Sequence, residues 1–128
     1  MKYSIVSLLL SFSASIITAQ NLTKSIGNGK KVYALNCASC HMQNGQGITG
    51  AYPPLAKSDY LMADANRSIK IVRNGLNGDI TVNGQKYNLP MTGVPISDQE
   101  TVDVLNYIRN SWGNKGREIT IAEVKKNK

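Results

Sequence analysis

Cys37-Ala38-Ser39-Cys40-His41 contains both cysteines and the one histidine of a 128-residue chain. Two thiols three positions apart, followed directly by an imidazole, put nucleophilic and metal-binding groups on one tight turn. A four-ligand zinc site or a disulfide framework would need other residue types as well. What this pentapeptide serves therefore decides how the rest of the chain is arranged.

The length allows one compact domain and excludes a multidomain enzyme. Apolar residues make up 41% and charged residues 18%, with a mean hydropathy of -0.24. This is the composition of a soluble globular protein, not of a disordered tail or a polytopic membrane protein. Lys and Arg number 15 against 8 Asp and Glu, a formal charge of +7. That charge suits acidic proteins, anionic membrane surfaces or nucleic acid without choosing among them. The basic residues are scattered and form no nucleic-acid-binding motif, so no nucleic-acid partner is expected.

Residues 1–19 begin with Lys2, run through an apolar stretch from Ile5 to Ile17, and end on Thr18-Ala19. This is the pattern of a secretory signal peptide cleaved after Ala19. A membrane-spanning helix needs about 20 strongly apolar residues, and Ser7, Ser11, Ser13 and Ser15 make this stretch shorter and more polar. The expected product is periplasmic or otherwise exported, with no stable membrane span. Tyr3 and Phe12 are lost with the leader, leaving Tyr33, Tyr52, Tyr60, Tyr87, Tyr107 and Trp112 as the aromatic supply. A domain of this size buries only about two-thirds of its unfolded surface, so a large flat cofactor at the centre would relieve the shortage.

Gly29 to about Asn36, with Val32, Tyr33 and Leu35 among lysines, predicts a helix running into Cys37. Met42 to Tyr52 is rich in Gly, Gln and Asn, and Pro53-Pro54 forbids regular helix, so a long loop is expected. A helical turn over Ser58 to Ala63 and a helix over Asn66–Asn74 follow, the second stopped by Gly75. Asn83-Gly84 between two short β-capable pieces predicts a hairpin over Thr81 to Tyr87. Ser97-Asp98-Gln99-Glu100 is a capping box that opens the longest expected helix. Its stripe of Val104, Leu105, Ile108 and Trp112 is stopped by Gly113. Thr120 to Glu123 repeats the box for a short terminal helix ending on Lys125 and Lys126.

Three readings compete for the pentapeptide. C-x-x-C-H is the attachment pattern of c-type haem, in which two thiols add to vinyl groups and the next residue presents its imidazole to iron. A thioredoxin-like dithiol would follow a strand in a βαβ pattern, which this sequence lacks. A short structural disulfide suits an oxidising compartment but leaves His41 without a purpose. The haem reading employs all three residues. With a single histidine, the sixth iron position falls to another donor, and methionine is the one that favours reduced iron and raises the potential. Met42 is bonded to His41 and cannot reach the opposite haem face, while Met62 lies in a helical stretch. Met91 follows Pro90 in an irregular segment and is preferred.

The mature chain resembles the class I c-type cytochromes, small all-α bacterial monohaem proteins, from about Gly27 to Lys126. The pieces occur in family order: Gly29 with Tyr33, the pentapeptide, Tyr52-Pro53-Pro54-Leu55, Leu89-Pro90-Met91, then Asn106 through Asn114. The resemblance implies orthogonal N- and C-terminal helices around one haem c bound through Cys37 and Cys40, within a domain of residues 20–128. It implies axial ligation by His41 and Met91, with Tyr52, Pro53 and Leu55 also at the cofactor. Gly29, Tyr33 and Tyr107 would fill the helix crossing. A carbonyl at Pro53, or at Pro54 beside it, would hold the proximal imidazole.

The function implied is electron transfer, with no catalytic residue: no second histidine stands ready for acid–base chemistry. The competing functions are a haem enzyme or gas-ligand sensor with an open distal site, and a dedicated cytochrome subunit of a larger oxidoreductase. Partners would be a reductase or oxidase, among them a copper nitrite reductase, a dehydrogenase or a terminal oxidase, met as a monomer or a subunit. Lys30, Lys31, Lys57, Lys86 and the basic tail would steer docking onto an acidic surface, a role that solvated surface charge fits equally well.

Overall fold

The computed structural model describes residues 21–128, so the leader expected over residues 1–19 lies outside the described residues. Helix α1 covers residues 21–36, beginning well before Gly29. The additional turns carry Ser25, Gly27 and Asn28, which have little intrinsic helix preference, and only Leu22 and Ile26 there stand at helical spacing. They are helical because Ser25, Gly29 and Tyr33 form one buried side. Tertiary packing supplies most of such a helix's stability.

A one-turn helix, α2 (Ala38–His41), carries the motif. It is followed by α3 (Asp59–Ala63) and α4 (Ala65–Asn74). Ser58 Oγ accepts the Leu61 N–H, and the Asp64 carboxylate accepts the Arg67 N–H, so each helix has an N-cap. Gly75 ends α4 and donates its N–H to Ile71 O.

Four short strands come next: β1 (Gly75–Leu76), β2 (Ile80–Val82), β3 (Gln85–Tyr87) and β4 (Met91–Thr92). β2 and β3 form the hairpin expected from Asn83-Gly84, whose φ values of 50° and 81° are the positive pair that a tight hairpin turn demands. The second ribbon departs from the sequence expectation. Met91 sits in a strand, not an irregular segment, with Leu76 opposite Met91 and Gly75 opposite Thr92. Strands of two residues have no alternation to read.

Helix α5 (Asp98–Ile108) opens with the full capping box: Ser97 Oγ accepts the Glu100 N–H at 3.1 Å, and the Glu100 carboxylate accepts the Ser97 N–H at 2.8 Å. Two expectations are corrected here. The helix ends at Ile108 and does not reach Trp112, and α1 is the longer helix. Asn110 Nδ2 and Ser111 Oγ donate to the carbonyls of Asn106 and Tyr107, at 3.0 and 2.6 Å. Such side-chain bonds compete with the helical ladder, and Trp112 turns to a φ of 54°. The terminal helix, α6 (Ile121–Lys126), has the expected box from Thr120 and Glu123.

One core joins these pieces, with Tyr33 from α1, Ile69 from α4, Leu105 and Ile108 from α5, and Ile119 and Val124 from the tail. Its polar junction is Asn106, which is fully buried. Asn106 Nδ2 donates to Ser25 Oγ at 3.0 Å and to Ile119 O at 3.2 Å, and Asn106 Oδ1 accepts the Ile119 N–H at 2.7 Å. Ser25 in turn donates to the Asp103 carboxylate at 2.6 Å. Asn106→Ala leaves several buried groups unpaired at once, so a stability loss of about 3 kcal/mol is expected. It would be read as a lower denaturant midpoint at unchanged slope. A loss within about 0.5 kcal/mol, the range of ordinary surface changes, would mean that the junction holds without it.

Candidate functional site

A cavity of about 530 Å³ opens beside α2 and is closed by α3, α4, both ribbons and α5. Cofactor sites usually occupy about 300–1,000 Å³. Cys37, Cys40, His41, Tyr52, Pro53, Leu55 and Met91 all line it. The cavity therefore brings together every site residue expected from the sequence. Met42 and Met62 are absent from its lining. Met42 turns away at the end of α2, and its carbonyl accepts the Tyr33 hydroxyl at 2.7 Å.

His41 is 8% exposed and its Nδ1 lies 2.9 Å from Pro53 O, not from the carbonyl of Pro54. A carbonyl only accepts, so Nδ1 carries the proton and the lone pair is left on Nε2. Burial holds the His41 pKa below the ordinary imidazole value, against the opposing influence of the Pro53 bond. The ring is thus neutral at neutral pH, the state in which imidazole binds metals. Local hydrogen bonds place it: the amides of Cys40 and His41 both donate to Cys37 O, at 3.2 and 2.9 Å.

The acceptor is placed with equal care. Leu55 and Ala56 amides both donate to Gly45 O at 2.8 Å, and Ile48 pairs with Tyr52. Asn114 ties the far end of this loop, with Nδ2 donating to Leu55 O at 2.9 Å and Oδ1 accepting the Lys57 N–H at 2.8 Å. The loop thereby holds Pro53 O against the imidazole.

Cys37 and Cys40 are free thiols, each half-buried, so the disulfide reading is not what the fold adopts. The motif follows a helix, and the described strands pair only antiparallel, which leaves the thioredoxin-like reading without its βαβ setting. Burial, with Cys40 beside it, pushes the Cys37 thiol up to about 11. Met91 is held by its backbone, through the β1–β4 pairing and through the Val94 amide, which donates to Val72 O at 2.8 Å.

The hairpin, to which the sequence assigns no site residue, contributes Ile80, Val82 and Tyr87 to the cavity wall. Their signal was present: Ile80 and Val82 alternate with exposed Thr81, and Tyr87 stands opposite Ile80. Tyr60 and Leu61 of α3, and Ile71 and Val72 of α4, supply the wall beside it. No local pattern marks them as site residues, since an apolar stripe facing a cofactor reads the same as one facing a core.

Apolar walls, two free thiols at the margin, a neutral imidazole and a thioether suit a flat apolar ring system carrying an iron that accepts nitrogen and sulfur donors. Residues 26–112 match the family described as Cytochrome c. The chain belongs to the cytochrome c family. Membership brings with it covalently bound haem c and haem-based electron transfer.

Among cytochrome c relatives, cytochrome c-552 of Thermus thermophilus is 44% identical over 109 residues, covering 77% of this chain and 82% of that protein. The cytochrome c subunit of the quinone alcohol dehydrogenase of Gluconobacter oxydans is 34% identical over 88 residues, 67% of this chain but 18% of that protein. The cytochrome c subunit of gluconate 2-dehydrogenase of Pantoea cypripedii is 30% identical over 102 residues, covering 74% and 22%. Among the described residues, no helix is long and apolar enough to cross a membrane.

Proposed function

We propose that this cytochrome c is an exported one-electron carrier in which Cys37 and Cys40 would hold a single haem c through thioethers, and His41 Nε2 and Met91 sulfur would be the protein donors to its iron. The observation that carries the reading is the joint lining of one cavity by both thiols, the Pro53-bonded imidazole and one methionine. The haem supplies an iron that gains and loses one electron. Pro53 O fixes the imidazole ring and raises its basicity as a ligand. The walls of α3, α4 and the hairpin exclude water. Leu35 and Leu89, 85% and 52% exposed at the cavity rim, give a redox partner an apolar landing place. With His41 and Met91 both lining the cavity as donors for the iron, the chain would act as a carrier and not as an enzyme.

A second reading has the domain working as a dedicated subunit of a dehydrogenase, favoured by relatives that are named as such subunits. Both readings need the same covalent haem. Intact mass of the exported protein under denaturing conditions is expected to exceed the mature polypeptide by one haem, and the increment to disappear in the Cys37→Ala, Cys40→Ala double variant. A bare polypeptide mass from wild-type protein, matured beside the haem-attachment machinery, would sink the proposal. A high-spin ferric spectrum that shifts with cyanide would favour the open-site enzyme or sensor instead.

A further inference from the structure

Arg109 caps the C-terminal end of α5 and is only 5% exposed, yet none of the ion pairs among the described residues includes it. One guanidinium nitrogen, Nη1, donates to Leu61 O at 3.3 Å, while the buried Nε has no partner. Glu123, the acid whose field reaches it, is held by Arg117 at 2.6 Å. Burial and the Arg117 charge pull Arg109 below the usual guanidinium value, but arginine does not give up its proton in proteins. A lone buried charge carries a large desolvation penalty, and fastening one carbonyl does not require it.

Its surroundings suggest what it does. On one side lies the tail: Gly116 packs so tightly that a Cβ there would sit 3.1 Å from both Cβ and Nε of Arg109. Gly116 is beyond residues 26–112, so the covering segment lies outside the part matched to the family. On the other side is the cavity wall. Leu61 lines the cavity, as does Ile108, the residue before Arg109. The Leu61 carbonyl also accepts Ser68 Oγ at 3.1 Å, so the backbone between the guanidinium and the cavity is held on both sides.

We infer that Arg109, sealed behind the Leu61 wall by the C-terminal tail, is a fixed positive charge that raises the reduction potential of the haem. This rests on the haem reading above. Oxidised iron carries one more positive charge than reduced iron, so a cation buried nearby favours the reduced form. Sealed from solvent, its field is weakly screened. Arg109 does not line the cavity and acts through that field alone.

The test measures midpoint potentials of haem-loaded wild-type, Arg109→Gln, Arg109→Lys and Lys115→Gln proteins, each also unfolded with denaturant. Lys115→Gln removes the same charge from an exposed position in the tail. For Arg109→Gln the reduced-to-oxidised ratio at a fixed ambient potential is expected to fall about tenfold, a downward shift of about 59 mV for one electron. The shift should persist in about 1 M salt, where exposed charges are screened within about 3 Å. Arg109→Lys and Lys115→Gln are expected to stay near wild type. Equal shifts in the Gln and Lys variants, or none in the Gln variant, would overturn the inference and leave Arg109 as a fastener of α3. Arg109→Met replaces the Gln variant if that protein does not fold, and failure of both to fold has the same overturning meaning. Absence of a haem spectrum from wild-type protein would instead remove the underlying reading, before any variant is compared.

Discussion

Gly29→Ala is expected to cost about 3 kcal/mol or more, a large share of a small domain's usual 5–15 kcal/mol or so. Intrinsic preference points the other way, because alanine is the better helix former by up to about 1 kcal/mol. Geometry decides the sign. A Cβ on Gly29 would run into the carbonyl oxygen of Asp103 and come within 2.8 Å of Tyr107 Cβ. Both obstacles are tied to the α5 backbone, so neither swings aside, and α1 must lift from α5. Gly27 supplies the control on the same helix. Nothing lies within 4 Å of a Cβ there, so Gly27→Ala should stabilise by up to about 1 kcal/mol. Thermal or denaturant melts of the two variants should move in opposite directions, and a Gly29→Ala protein as robust as wild type would refute the close crossing of α1 and α5.

Met91→Ala is expected to abolish the weak red absorption band of an iron–thioether bond and to lower the midpoint potential on the order of 0.1 V. A thioether favours reduced iron, and its replacement by water or an adventitious ligand withdraws that preference. The fold should survive, since β4 is held to β1 by backbone bonds that alanine keeps. Met62→Ala should leave band and potential alone, because Met62 lies outside the cavity lining. An unchanged resting spectrum and potential in Met91→Ala would rule Met91 out as a ligand.

The features legible in the sequence are those that neighbours make among themselves. Both capping boxes, the Asn83-Gly84 turn and the pentapeptide need only a few consecutive residues, and each adopts the geometry it announces. What escaped depends on partners distant along the chain. The early turns of α1 form against α5, the end of α5 is set by the side chains of Asn110 and Ser111, and β1 finds β4 only when the chain folds back. The same division runs through the site. Both thiols, the imidazole and Met91 are rare residues that stand out by type, whereas the walls are ordinary aliphatic and aromatic side chains. The burial of Arg109 was illegible for a similar reason, since a charged residue at a helix end normally meets water and only the returning tail covers it.

The acceptor that steadies His41 is a carbonyl, and a carbonyl is written into no codon. Point changes at position 53 swap the ring of Pro53 but cannot delete its oxygen, so heritable damage to this contact must arise elsewhere, in the ties that hold the loop. Asn114 offers the most direct route: its amide grips both Leu55 and Lys57. A random screen for altered electron transfer should therefore recover lesions at Asn114, a residue remote in sequence from the motif, more readily than at Pro53.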